Sequence, residues 1–323
     1  MSNSTLTAAI TKFTDNVEFL VQQMPARLWE QSEIRGEEGT GAVAVEQFGY
    51  VSMSQVTGRL QQIAFTDTPQ NRRWVYPTPF AIYDAADTFE KLEVSIDPDG
   101  WIARTQSFAA QRRKDDTFIA NFFGTAQTAT SIAGGGVSPT TAVPFPSTQI
   151  ISVNCGSSGF SGNPVTGTGG SATGMNVPKL RGAREVFLSA EVDLDMEMPN
   201  VAMSAQQLDN MLNQAQAISL DFNETPVLVD GKITKFMGFR FIHSERLPGP
   251  TIAAGSDLAT TTYRENPAWV KSGMRGAVWQ DITTDIRQRT DIVGYPWQVS
   301  ITMMIGATRL QEPKCIQINS AES

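Results

Sequence analysis

The side chains able to do chemistry are few, and their counts exclude more than their positions suggest. His243 is the only histidine in 323 residues, and Cys155 and Cys315 are the only cysteines. Two thiols that far apart, in no CxxC pair, exclude a disulfide framework and a thiolate zinc site. A single imidazole excludes His-pair zinc sites and leaves any Ser-His or Cys-His nucleophile dependent on His243. His243 ends the run Phe239-Arg240-Phe241-Ile242-His243, where alternation sets it on the face of Phe239 and Phe241, the place of a structural histidine. Carboxylates offer a second chemistry. Glu191, Asp193, Asp195 and Glu197 alternate with Val192, Leu194, Met196 and Met198, so a strand there would line four acids on one face. Such a row could hold a divalent cation or an acid–base pair, but a solvated strand face or an acidic connector is favoured, because a plain row lacks the wrap-around geometry hard cations need. Gly167-Thr168-Gly169-Gly170-Ser171-Ala172 fits GxGxxG/A, but no apolar strand leads into it and Pro178 intervenes before any helix. No GxxxxGK[ST] or GxSxG motif occurs, and no cofactor or metal is expected.

Trp74, Tyr76, Phe80 and Tyr83 lie within ten residues, beside Arg72 and Arg73. This mix could stack bases, yet aromatics with arginine are also the favoured anchors of protein interfaces. Lys and Arg total 25 against 33 Asp and Glu, a formal net charge of -8, which favours interface or core over phosphate binding. With 41% apolar residues the chain can bury a core for one large or two ordinary domains. No window offers about 18 consecutive apolar residues, and the start lacks the pattern of a secretory signal, so a cytoplasmic chain free of membrane is expected.

The elements that must position these groups follow from spacing. Phe13, Val17, Leu20, Val21, Met24 and Leu28 predict an amphipathic helix over Phe13 to Trp29. Short β-branched and aromatic runs broken by Gly58, Pro69, Pro77 and Pro79 predict extended segments over 42–96. Asp97 as N-cap, Pro98 in the first turn and Gly124 as terminator predict a helix over 98–123. Its Arg112, Arg113, Lys114, Asp115 and Asp116 form either a subunit contact or a solvated face with pairs such as Arg112 with Asp116. Gly124 to Pro178 carries no charge, and 33 of its 55 positions are Gly, Ser, Thr or Pro, which predicts turn-rich loops over a surface, with a short strand at Ile150. A helix is expected over 178–190, and another from the capping box Ser204 to Gln207 through Leu208, Met211, Leu212 and Ala215. A hairpin should turn on Asp230-Gly231, and strands should run over 297–305 and 315–318.

Taken in order, these segments resemble the tailed-bacteriophage major capsid protein family with the Hong Kong 97-like fold. The likeness rests on Tyr83-Asp84-Ala85-Ala86-Asp87, on Ile96-Asp97-Pro98 opening the long helix with Arg113-Lys114-Asp115-Asp116, and on the Gly124 exit. It continues through Leu180 to Ala183, Gln207-Leu208, Asp230-Gly231-Lys232-Ile233, Phe236-Met237-Gly238-Phe239, Ser244 and Leu247-Pro248. Ile305-Gly306-Ala307-Thr308-Arg309-Leu310, leading into Cys315-Ile316-Gln317-Ile318, is its most distinctive piece. The resemblance implies an α+β subunit with an N-terminal arm (1–35), an extended loop (36–92) and the spine helix of a peripheral domain (93–125). After an uncharged insertion (126–177) would come an axial domain (178–275) and C-terminal strands of the peripheral domain (276–323). It also implies pentamers and hexamers in a closed icosahedral shell, packaged double-stranded DNA held without sequence reading, portal, scaffolding or decoration partners, and a place in the virion after assembly in the host cytoplasm. The residues expected at subunit contacts are Trp29, Arg72, Arg73, Trp74, Tyr76, Phe80, Tyr83, Arg112, Arg113 and Asp116. Three other readings stay open: an encapsulin-like cargo compartment, a hydrolase using the 191–197 acids, and a carbohydrate- or protein-binding β module.

Overall fold

The computed structural model describes residues 22–322 apart from 38–41, 60–61, 63–64, 87–97, 133–135, 138–140, 215–227, 230–231, 253 and 259. Among the described residues, three α-helices punctuate the strands. Helix α1, Pro98–Phe123, has the predicted limits; Asp97, its expected cap, lies outside the described residues. Gly124 ends it for a steric reason, because a Cβ there would fall 2.5 Å from the Ala120 carbonyl oxygen, and its N–H donates to that oxygen at 2.9 Å. Helix α2, Val177–Ser189, is capped by Asn176, whose side chain accepts the Lys179 N–H at 3.0 Å. Helix α3, Ala205–Leu212, starts on Ser204. Only half of the capping box forms. Ser204 Oγ accepts from Gln207 N at 3.3 Å, but the Gln207 side chain turns to the Met175 N–H at 2.6 Å and the Ala321 carbonyl at 3.2 Å. Ala215 lies outside the described residues.

The strands, numbered along the chain, form four sheets. One contains, in spatial order, β12 (Lys235–Phe236), β13 (Phe239–His243), β9 (Asn200–Met203), β14 (Arg264–Trp269), β17 (Cys315–Ser320) and β8 (Ile150–Ile151). Pairing is parallel for β13 with β9 and for β17 with β8, and antiparallel elsewhere. A second runs β2 (Val43–Phe48), β3 (Gln70–Val75), β5 (Ala126–Ile132) and β6 (Gly136–Val137), with β7 (Thr141–Val143) also on β5. A third runs β1 (Glu33–Gly36), β15 (Met274–Gln288), β16 (Trp297–Arg309) and β4 (Thr78–Ala86). The fourth pairs β10 (Leu228–Val229) antiparallel with β11 (Lys232–Ile233); Asp230 and Gly231, the expected turn, lie outside the described residues.

The chain divides into two compact units: Met1–Pro25, Pro79–Arg113 and Gln280–Met304 form the smaller, and Ala26–Thr78, Lys114–Trp279 and Ile305–Ser323 the larger. In the smaller, Ile102 packs on Val299. In the larger, Leu180, Ala183 and Phe187 of α2 and Met211 of α3 pack with Val201, Met203, Phe239, Ala268, Ile316 and Ile318 of the six-stranded sheet. Each large aliphatic or aromatic side chain buried there contributes about 1.5–3 kcal/mol.

Several expectations are corrected. Residues 13–21 of the first predicted helix lie outside the described residues, and 22–28 are not helical; one 3₁₀ turn, Trp29–Gln31, follows. Phe65-Thr66 is not a strand. Residues 191–198 form turns instead of a strand. Asp193 Oδ1 accepts the N–H groups of Asp195 and Met196, both at 3.1 Å, and that local bonding competes with a ladder. The uncharged 126–177 block is no mere loop, since it supplies β5, β6, β7 and β8 to two sheets. Its glycines serve close packing: Gly170 has φ +71, and a Cβ there would fall 1.9 Å from Ser157 Oγ. The expected C-terminal block also divides, β15 and β16 joining one sheet and β17 another.

Lys179 closes the end of this tract onto α2. Fully buried, its Nζ donates to the carbonyls of Thr173 at 2.6 Å and Gly174 at 3.0 Å. Burial pulls the amine down to about 7, against a partial upward pull from Cys155. An unfolded lysine titrates near ~10.4, so the unfolded chain binds more protons between about 7 and ~10, and stability contributed here rises with pH in that window. The urea midpoint of the native chain should climb from pH 7.5 to 9.5 relative to Lys179→Met; parallel curves would refute this.

Candidate self-assembly surface

A closed two-strand ladder and an uncovered apolar run stand side by side in the larger unit. β2 and β3 pair from Val43↔Val75 to Phe48↔Gln70, and Gly49 N–H adds one bond to the Pro69 carbonyl at 2.7 Å. The chain between carries Phe48, Tyr50, Met53, Val56 and Phe65 at 71%, 86%, 101%, 77% and 97% exposure. Single exposed apolar residues are ordinary, but several in one stretch mark an interaction site. The stretch lies in the segment expected to be an extended loop, but the contact residues expected there, 72–83, follow the denser aromatic cluster. The missed signal is compositional: Phe48, Tyr50, Met53, Val56 and Phe65 put five large apolar side chains into one stretch read as extended.

The ten expected contact residues separate by burial. Tyr76 and Tyr83 are exposed, at 47% and 64%. Arg72 is part-exposed, pairs with Glu46 and lies 5.8 Å over the Trp74 ring. Phe80, half-buried, lies under Arg113, with the guanidinium carbon 4.5 Å from its centroid. Arg112 donates to Gln22 Oε1 at 2.6 Å. The other three belong inside their own subunit. Trp29 is buried, and a Cβ on Gly276 would meet its ring at 3.0 Å. Arg73, also buried, grips both oxygens of Glu312 at 2.6 Å. Asp116 is buried against Arg246, whose Nε donates to it at 2.6 Å and whose second nitrogen holds the other oxygen.

The charge block on α1 is therefore no solvated face, and Arg112 does not pair with Asp116. Lys114, Asp115 and Asp116 are all buried. Asp115 accepts three successive backbone N–H groups, those of Arg27, Leu28 and Trp29, at 3.0–3.1 Å. Helical spacing carried the signal, since Asp115 shares its face with the buried Ile119 and Phe122 at i+4 and i+7. Arg309, from the distinctive C-terminal stretch, is fully buried and caps α1: its guanidinium donates to the carbonyls of Phe122 and Gly124, to Asn121 at 3.4 Å, and to Val143 at 3.2 Å.

No catalytic constellation is assembled among the described residues. The 191–197 acids are dispersed by turns, and Glu197 accepts the Ser272 N–H at 3.1 Å. No described group of three or more His, Cys, Asp or Glu could hold a metal, and no described helix is long and apolar enough to cross a membrane. Burial pushes the Cys315 thiol up to about 12, far from a reactive thiolate. His243 bonds to Glu245 and Arg27.

The chain belongs to the phage capsid protein family, whose model matches residues 6–322. No curated protein matches it. Solved structures do. It is similar to the capsid of Ralstonia phage GP4 (11% identity, 98% of this chain and 96% of that one, TM-score 0.67). The cyanophage P-SCSP1u capsid structure (16%, 97% and 94%, TM-score 0.66) and the head structure of Helicobacter pylori bacteriophage KHP40 (9%, 95% and 94%, TM-score 0.67) are similar too. The fold is thus the α+β fold of tailed-phage capsids expected from the sequence, and the protein is a major capsid protein, building a phage head shell from copies of itself.

Proposed function

We propose that this subunit forms the pentamers and hexamers of an icosahedral head around double-stranded DNA, assembling in the host cytoplasm with portal and scaffolding or decoration proteins. Within it, residues 36–92 are the extended loop, 93–125 the spine helix and 178–275 the axial domain, whose sheet also takes in β17, while the strands from 276 to 309 belong to the peripheral domain and 126–177 tie the sheets together. Residues 1–35 are the N-terminal arm, whose end is tied to its own chain by the buried Leu28 and Trp29 and by Glu33–Gly36 on β15. The observation that carries the reading is the exposed apolar run from Phe48 to Phe65. Its cover is a neighbouring copy, since burying such side chains contributes about 25 cal/mol per Å² and a lone subunit leaves that unused. The net charge of -8 suits an inner wall that lets DNA slide.

Replacing residues 50–68 by a Gly-Asn turn should leave a folded subunit, judged by circular dichroism, that sediments as monomers or capsomers. Negative-stain microscopy should show shells for the native chain alone. Normal shells from the shortened chain would overturn the loop's role. Particles holding an enzyme in place of DNA would favour the encapsulin-like compartment.

A further inference from the structure

The only histidine joins three parts of the larger unit. Arg27 Nη1 lies 3.1 Å from His243 Nδ1 and donates to the His243 carbonyl at 2.9 Å. On the other side of the ring, Nε2 lies 2.9 Å from Glu245 Oε1, which also accepts the N–H of Ala205, the first residue of α3, at 2.6 Å. A guanidinium only donates and stays charged, so Nδ1 must be the acceptor and the ring proton sits on Nε2, facing Glu245.

We infer that His243 is a proton-operated latch on the 26–29 segment: a second proton, on Nδ1, ends the Arg27 bond and sets an imidazolium against the guanidinium. Among the described residues, the charged groups bonded to the ring are Arg27 from that segment and Glu245, just after β13; Asp115 of α1 holds the segment's backbone. Arg246 is turned to Asp116, and Arg240 to Gln31. Protonation strengthens the Glu245 contact while it breaks the Arg27 one, transferring the ring's hold from the segment to the α3 start. Arg27 keeps the carbonyl bond, so the segment loosens instead of unfolding. The placement matters, because the chain passes between its two units at Pro25 and Ala26, one residue before Arg27. The inference concerns the subunit alone and does not depend on the shell reading.

Hydrogen exchange of the full-length protein, read by mass spectrometry on peptides covering 26–32 and corrected for intrinsic rates, tests it at pH 7.5, 6.5 and 5.5, above the ordinary carboxylate range. The native protein should lose about tenfold protection from pH 7.5 to 5.5. His243→Gln, which does not titrate, should stay flat within about twofold. Arg27→Gln, with no charge to repel, should show low protection at every pH. A native profile without pH dependence, or one reproduced by His243→Gln, overturns the latch. Should His243→Gln lose its native circular dichroism, Arg27→Gln decides: a persisting pH dependence refutes the inference and its loss supports it.

Discussion

Replacing Arg309 by methionine should destabilise the subunit by about 3–5 kcal/mol, the range for removing one member of a buried polar arrangement. Methionine fills much of the volume but donates nothing. The carbonyls of Phe122, Gly124, Asn121 and Val143 would lose their donor in a fully buried site. Two of them end α1, where the helix dipole is negative and a cation is worth more than a neutral donor. The guanidinium also lies 5.0 Å over the Phe145 ring, adding a contact that methionine replaces only in part. Arg309→Lys should recover a minority of the loss, because an ammonium is a point donor and cannot fork between the helix end and β7. Urea unfolding of subunits kept below the assembly concentration measures this directly. A loss below about 1 kcal/mol for the methionine variant would mean that water replaces the guanidinium.

Asp115→Ala should cost about 3 kcal/mol or more through a different route. Three consecutive N–H groups, those of Arg27, Leu28 and Trp29, converge on this buried carboxylate. Each buried donor left unmade costs about 1–3 kcal/mol. The first consequence is local: Leu28 and Trp29, both buried, lose the anchor that holds them in the core. Asp115→Asn should cost less than the alanine variant, because Oδ1 alone accepts all three N–H groups and an amide oxygen there keeps them, while the amide nitrogen opposes only the Arg27 N–H at the Oδ2 position. Exchange at the 27–29 amides should rise in both variants before global unfolding does. If those amides stay protected, the carboxylate is incidental to the anchor.

Both residues explain a motif whose role the sequence left open. Arg309 sits in the Ile305 to Leu310 stretch, and Asp115 in the block Arg113-Lys114-Asp115-Asp116 on the long helix. A run of adjacent charges reads as surface because a one-dimensional pattern shows no partner. The partners lie far off: Leu28 is 87 positions from Asp115, Asp116 is 130 from Arg246, and Phe122 is 187 from Arg309. The acidic 191–198 row fails for the opposite reason, since alternation is necessary for a half-buried strand but does not exclude a loop whose aspartate bonds its own backbone.

The sequence by itself determined the limits of α1, a helix over 178–190 that the structure places one residue earlier, apolar strands over 297–305 and 315–318 that the structure extends, and the absence of residues for a thiolate or histidine-pair zinc site. These follow from rules that act within a few residues, such as proline's fixed φ, a capping side chain and side-chain alternation, or from counting alone. Tertiary structure alone decided which charges are buried, that Trp29, Arg73 and Asp116 turn inward, and that the apolar run from Phe48 to Phe65 is left without intrachain cover. Whether a side chain meets water, a core or a counter-charge depends on neighbours brought in from distant parts of the chain, and local spacing carries no record of them.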